Sequence, residues 1–439
     1  MNLVVVGGGS AARLPCALVR GRYCAAPNQS EHTEMPSSMR HKWAFAPRFR
    51  RGSFGWKSQP AIKRVKEAVS EIKKTARKDP LLAAEGAVLL LEKVSPALEQ
   101  VDSSSGAIGT AVHNAIQELV GIIAKAPAEE DLRETWLERL WQAHEADQIP
   151  YIESLADHWG ELCASKELAS AWADRLLGIT RMALVRDGHQ RGYFHGTSAC
   201  LSALHHAERH AEIVELLDAE TFWPNKRWAV KALAAMGEKA EAIRCAESSR
   251  SPWASDADID SLCEEIFLSS ELADEAYERY GLTANRAGTY LAWFRAVSRK
   301  YPDKSAADIL ADLVKTTPGE EGKWFAAAKA ARLFEEALEL ARRSPCDPRT
   351  LTRAARDYAE EGPAFAIGAG LLALHWLVQG HGYEITGADV WAAYSHTLKA
   401  AERCGAADAV RQRIRDLVAS ESNGDRFVTR ILGRELGLE

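Results

Sequence analysis

A paired-helix pattern recurs through the C-terminal half of this 439-residue chain and constrains its fold more than any other feature. Each second helix is marked by a small or acidic residue followed by an apolar one: Glu212-Ile213, Ala242-Ile243, Ala276-Tyr277, Asp308-Ile309, Ala337-Leu338, Ala366-Ile367 and Ala409-Val410. The apolar members stand 30, 34, 32, 29, 29 and 43 residues apart. Such spacing suits a unit of two helices that cannot bury its apolar face alone and must stack on its neighbours. The longest interval holds an insertion, His381-Gly382-Tyr383-Glu384-Ile385-Thr386-Gly387.

In Met236-Gly237-Glu238-Lys239-Ala240-Glu241-Ala242-Ile243 a glycine ends one helix and small alanines let the next approach closely; Ala331 to Leu338 repeats the arrangement. These stretches resemble the second helix of tetratricopeptide-type repeats over roughly residues 195–418. The resemblance implies a curved superhelix whose concave surface holds a protein or peptide. The region also resembles the helical parts of bacterial proteins that carry a SWIM-type zinc finger. The C-x-C…C-x-H signature of that finger is absent, so this second resemblance implies no metal site.

Helical signals also fill the stretch before the repeats. Ser58 to Pro60 opens a helix whose Ile62, Val65, Val69, Ile72 and Ala76 recur at spacings of 3 and 4. Asp79-Pro80 supplies a cap and a first-turn proline for a helix to about Glu99, and further helices are expected at Ala107–Lys125, Glu129–Ala146, Tyr151–Cys163 and Lys166–Leu184. Arg186 to Gly192 reads as a linker. The predicted fold is all-α: an α-solenoid of antiparallel, tetratricopeptide-like helix pairs over 193–420, preceded by a helical bundle over 60–186 and a basic, aromatic segment over 40–59. Residues 421–439 read as a C-terminal tail or helix, and 1–39 as a disordered leader or an over-extended reading frame whose start is Met35 or Met39. Gly7-x-Gly9-x-x-Ala12 satisfies a loose dinucleotide pattern, but Pro15 breaks the helix that pattern requires.

Charge divides the chain sharply. Residues 40–78 hold thirteen basic side chains against Glu67 and Glu71, a net of +11, whereas everything after them carries −18 of the chain's total of −6. No run reaches the roughly 18 apolar residues that cross a bilayer, and residues 1–6 lack the positive charge of a signal peptide. The eight cysteines form no C-x-x-C pair, as expected of free thiols in a cytoplasmic protein. Neither a membrane, nor a cofactor, nor a small-molecule substrate is expected.

Three candidate sites follow. The basic segment interleaves Trp43, Phe49 and Trp56 with Arg48, Arg50, Arg51 and Lys57, the chemistry that stacks exposed bases and neutralises phosphates. The same aromatics equally serve as anchors pinning the segment to the acidic body. Cys200, His206 and His210 form the second candidate, because two histidines four residues apart share a helix face suited to a transition metal. The third, Ser198, Ser202 or Cys200 beside His205, lacks the sharp strand-to-helix elbow that presents a nucleophile. The first expectation for function is a non-catalytic adaptor or scaffold binding a protein partner. A nucleic-acid-associated protein is the alternative, and a metal protein or enzyme centred on Cys200, His206 and His210 the second.

Overall fold

The computed structural model describes residues 41–184, 186–187, 190–252, 254–422 and 424–438. The expected leader, its glycine pattern and the alternative starts at Met35 and Met39 lie outside them. The described residues are helical apart from loops, one bridge residue at Tyr193 and a two-stranded antiparallel ladder, β1 (Arg186–Asp187) with β2 (Gln190–Arg191). The chain forms two compact units, Met1–Ala254 and Ser255–Glu439.

In the first unit, α1 (Ser58–Ala76) buries its periodic Ile62, Val65, Val69 and Ile72 against α2 (Pro80–Leu98) and α3 (Ala107–Lys125). The Asp79 carboxylate caps α2 by accepting from Leu82 N at 2.9 Å, satisfying an amide the helix leaves unpaired. By length and composition α3 passes for a membrane span, which the sequence reading missed. Its Ile108, Val112, Ile116, Leu119 and Ile123 are buried within the protein core.

Then follow α4 (Glu130–Glu145), a 3₁₀ turn at Glu153–His158, α5 (Trp159–Cys163) and α6 (Lys166–Leu184). The helix expected over 151–163 is thus a 3₁₀ turn feeding a short α-helix. Arg133 on α4 is buried and donates to the carbonyls of Ile123 (3.1 Å), Ala126 (2.6 Å) and Leu162 (3.2 Å), so one guanidinium closes the C-terminal ends of both α3 and α5.

The expected linker does not separate domains. The β1–β2 ladder reverses the chain and returns α7 (Thr197–His206) onto α6, where Cys200 Sγ lies 3.8 Å from Ala173 O. Gly160 makes the approach of α5 to α7 close: a Cβ there would meet His206 Cβ at 2.5 Å. One hydrophobic cluster therefore runs from Trp43 to Ala232. The unit ends with α8 (His210–Leu216), α9 (Trp223–Ala235) and α10 (Lys239–Ser248). Glu220, itself buried, accepts from the amides of Thr221 (2.8 Å) and Phe222 (2.9 Å) and from Asn225 Nδ2 (3.0 Å) where α9 begins.

The second unit contains α11 (Asp256–Leu268), α12 (Ala273–Ala276), a π-helical turn at Tyr277–Gly281, α13 (Leu282–Ala284), α14 (Tyr290–Lys300), α15 (Ala306–Lys315), α16 (Phe325–Ala330) and α17 (Phe334–Arg343). It continues through α18 (Pro348–Asp357), α19 (Pro363–Val378), α20 (Gly387–Arg403), α21 (Ala407–Ala419) and α22 (Phe427–Leu436). From α17 onward each helix packs on its neighbour or next neighbour; of the apolar markers, Tyr277, Ile309 and Val410 are buried, whereas Leu338 and Ile367 are half-buried beside the buried Ala337 and Ala366. Glu264 is fully buried, and its charge is met by Lys300 Nζ at 2.6 Å, Asn285 Nδ2 at 2.7 Å and the Tyr301 hydroxyl. Of the two alternatives for residues 421–439, the helix is present: α22 packs on α20 and α21, and buried Glu421 caps it by accepting from Val428 N (3.0 Å) and Thr429 N (2.6 Å).

Candidate functional site

The basic segment is pinned by its aromatic side chains. Trp43, Phe45 and Phe49 are 5%, 3% and 1% exposed, and they form a chain of ring contacts that continues to Phe54. Trp43 lies over Gly86 of α2, where no side chain competes for the space. The Glu71 carboxylate on α1 accepts from the backbone amides of Ala44 (2.8 Å) and Phe45 (3.2 Å) and fixes the segment from the other side. The placement of Trp43 and Phe49 among the base-stacking candidates is therefore corrected: both faces of each ring are spent on the core. Trp56 is different, at 72% exposed.

The cations divide in the same way. Arg51 pairs with Glu99 at 2.7 Å, Arg48 reaches Glu67 at 3.4 Å, Arg64 meets Glu67 at 2.6 Å, and Lys73 pairs with Glu118. Hydrogen bonds from Arg64 and Arg51 hold the carboxyls of Glu67 and Glu99, respectively, below their ordinary range. Among the described residues, Lys42, Arg50, Lys57, Lys63, Lys66, Lys74, Arg77 and Lys78 are exposed and form neither an ion pair nor a side-chain hydrogen bond. Attraction between the basic head and the acidic body thus accounts for only a minority of the positive charge.

Cys200, His206 and His210 do not converge. Cys200 is fully buried in α7 facing α6, and burial pushes its thiol up to about 12, far from the thiolate a metal requires. His206 lies at the end of α7 against Gly160, while His210 begins α8 and pairs its ring with His205, centroids 4.9 Å apart. No group of three metal-ligating side chains exists among the described residues. Of the nucleophile candidates on the same helix, Ser202 is spent on structure: its Oγ accepts from Gly160 N at 3.0 Å and donates to Asp157 O at 2.9 Å, joining α7 to α5 and the turn before it. Burial, with His210 and Lys231 nearby, lowers His205 to about 4.

Sequence inspection did not find a hollow of the second unit that α18 helps to line. Arg349, Arg353 and Arg356 stand at spacings of 4 and 3 on α18 and share one face of it. They line a cavity of about 410 Å³ together with Tyr383 of the 381–387 loop and Asp389, Ala392 and His396 of α20. The loop between α19 and α20 is thus a wall of this hollow.

Arg349 ties the wall in place. Its Nε and Nη2 contact Asp389 Oδ1 and Oδ2 at 2.8 and 2.9 Å, and Nη2 also donates to Glu384 O at 2.8 Å. The Asp389 carboxylate accepts as well from Thr386 N (2.8 Å) and Oγ1 (2.7 Å) at the start of α20. Arg349, seconded by those hydrogen bonds, holds Asp389 far below the usual carboxylate range. Arg353 lies 4.0 Å from Asp347 and donates to Arg349 O (3.2 Å) and Thr350 Oγ1 (2.9 Å), and Arg356 reaches Asp357 at 2.8 Å along its own helix. Burial, with Arg356 close by, lowers the His396 imidazole from its ordinary value. The hollow therefore offers guanidinium donors and an uncharged imidazole at neutral pH. The signal was present as a 4, 3 arginine spacing, but such spacing alone does not tell a cavity wall from a solvated helix face.

No protein-family model matches the chain, and no curated protein is significantly similar to it.

Proposed function

We propose that this is a non-catalytic interaction protein of the cytoplasm, an adaptor or scaffold whose second unit is a tetratricopeptide-like solenoid of antiparallel helix pairs holding a protein or peptide partner. The arginine-lined hollow between α18, the 381–387 loop and α20 carries this reading. Three guanidinium groups on one helix face, with Tyr383 beside them, suit acidic side chains or a terminal carboxylate of an extended peptide. Burial of α17 to α22 through neighbour and next-neighbour contacts supports the stacked-pair reading. Among the described residues Cys163, Cys200, Cys263 and Cys346 are buried in the manner of small apolar side chains, which favours a reducing compartment.

The test is fluorescence anisotropy of the full chain with a set of labelled acidic peptides, each with a free or an amidated C-terminus. The reading expects at least one peptide to bind and to lose about tenfold in affinity, roughly 1.4 kcal/mol, on combining Arg353→Glu with Arg356→Glu. Peptide binding that ignores both substitutions would remove the hollow as the site. No binding by any acidic peptide would remove the partner class.

A further inference from the structure

The exposed cations of the first unit lie on α1 and on the segment leading into it, which also carries the exposed Trp56, and we infer that this helix and segment together bind single-stranded nucleic acid. Lys63, Lys66 and Lys74 lie on one side of α1 and line an open hollow of about 770 Å³ with Ser70, Gln59 and His41. The two carboxylates in that hollow are already engaged: Glu67 by Arg64 and Arg48, and Glu71 by the amides of Ala44 and Phe45. Polyanion binding therefore meets lysines without having to displace an ion pair first. Lys57 and Arg50 extend the charge along the segment that leads into α1, and Trp56, 72% exposed, directly precedes Lys57 there.

The chemistry selects among polyanions. An anionic membrane is best gripped by an amphipathic helix that inserts its apolar face, but the apolar face of α1 is occupied by α2 and α3. Duplex nucleic acid has no use for a flat exposed indole, since its bases are already stacked. A single strand supplies both phosphates for Lys63, Lys66 and Lys74 and an unstacked base for Trp56, where stacking is worth about 1–3 kcal/mol per base, five- to 150-fold in affinity. This site lies wholly within the first unit and is independent of the hollow on α18.

The measurement is anisotropy of labelled oligo(dT) and oligo(U) with the full chain across 25–300 mM salt, with a duplex of equal length and phosphatidylserine vesicles as comparisons. The single strands are expected to bind most tightly, with a steep salt slope. The triple variant Lys63→Glu, Lys66→Glu, Lys74→Glu is expected to weaken binding at least tenfold and to flatten the slope by about 2, at about 0.7 per lost phosphate contact. Trp56→Ala is expected to cost at least fivefold while leaving the slope unchanged. Because all four side chains are exposed, the helical circular dichroism of each variant should match the parent. No single-strand binding at 25 mM salt, or parental affinity in the triple variant, would overturn the inference. So would vesicle or duplex binding stronger than oligo(dT) binding.

Discussion

Trp43 occupies the space that a side chain at Gly86 would need: a Cβ on Gly86 would lie 2.6 Å from Trp43 Cε2 and nearer still to Cζ2. One glycine in α2 thereby decides where a highly charged segment docks. Gly86→Ala should force the indole out or shift α2, costing about 1–3 kcal/mol by overpacking, and Trp43→Ala should cost about 3–5 kcal/mol through the cavity it leaves. Urea unfolding measures both, and limited proteolysis should cut residues 41–57 faster in each variant. Parental stability in both would mean the segment is not anchored there.

Arg133 is a buried cation whose three close contacts are carbonyls rather than acids. Burial lowers the affinity of its guanidinium for a proton, though it remains charged. Arg133→Leu should leave the carbonyls of Ile123, Ala126 and Leu162 without these donors and destabilise the first unit by roughly 2–4 kcal/mol. Arg133→Lys, with one compact donor head, should recover only part of that loss. Hydrogen exchange should show the added opening at the ends of α3 and α5 before other helices.

The Arg349–Asp389 pair sets a pH dependence of known sign. The folded state holds the Asp389 carboxyl below its unfolded value, so its contribution is fully present above about pH 4, the ordinary aspartate range, and is lost as pH falls below it. Because the Arg349 side chain is 43% exposed, solvent screening limits the contribution to about 1 kcal/mol. Asp389→Asn should lower stability by that amount at pH 7, and the gap to the parent should begin to narrow below about pH 4 and still be closing at pH 2. Parallel stability curves from pH 7 to 2 would remove the pair as the cause.

Cysteine reactivity should follow burial. The thiols of Cys163, Cys200 and Cys346 are pushed up to about 12 by desolvation, whereas Cys404 is exposed. Iodoacetamide at pH 8 should modify Cys404 within minutes and the three buried thiols only in denaturant, as read by peptide mass mapping. Rapid native labelling of Cys200 would show that α7 opens from α6.

Helical character was legible because it is local. The cap at Asp79 and the 3, 4 spacing of Ile62 to Ile72 are written within a few residues of where they act, and α3 begins and ends at Ala107 and Lys125, as expected from the sequence. The linker at Arg186 to Gly192 misled because a reversing ladder and an inter-domain tether share the same glycine-rich, charged composition. What separates them is whether the next helix packs back, and Cys200 against Ala173 answers that.

By itself, the sequence determined that the chain is helical, that most of its tryptophans fill cores, and that one segment is strongly basic. Tertiary structure alone decided that Trp43 and Phe49 turn inward while Trp56 stays out, that Cys200 lies apart from the histidines it might have joined, and that three arginines of α18 face a wall made by the 381–387 loop and α20. The reason is range. Periodicity and caps act over one or two helical turns, whereas these outcomes depend on contacts between residues tens of positions apart, whose packing and desolvation no local pattern encodes.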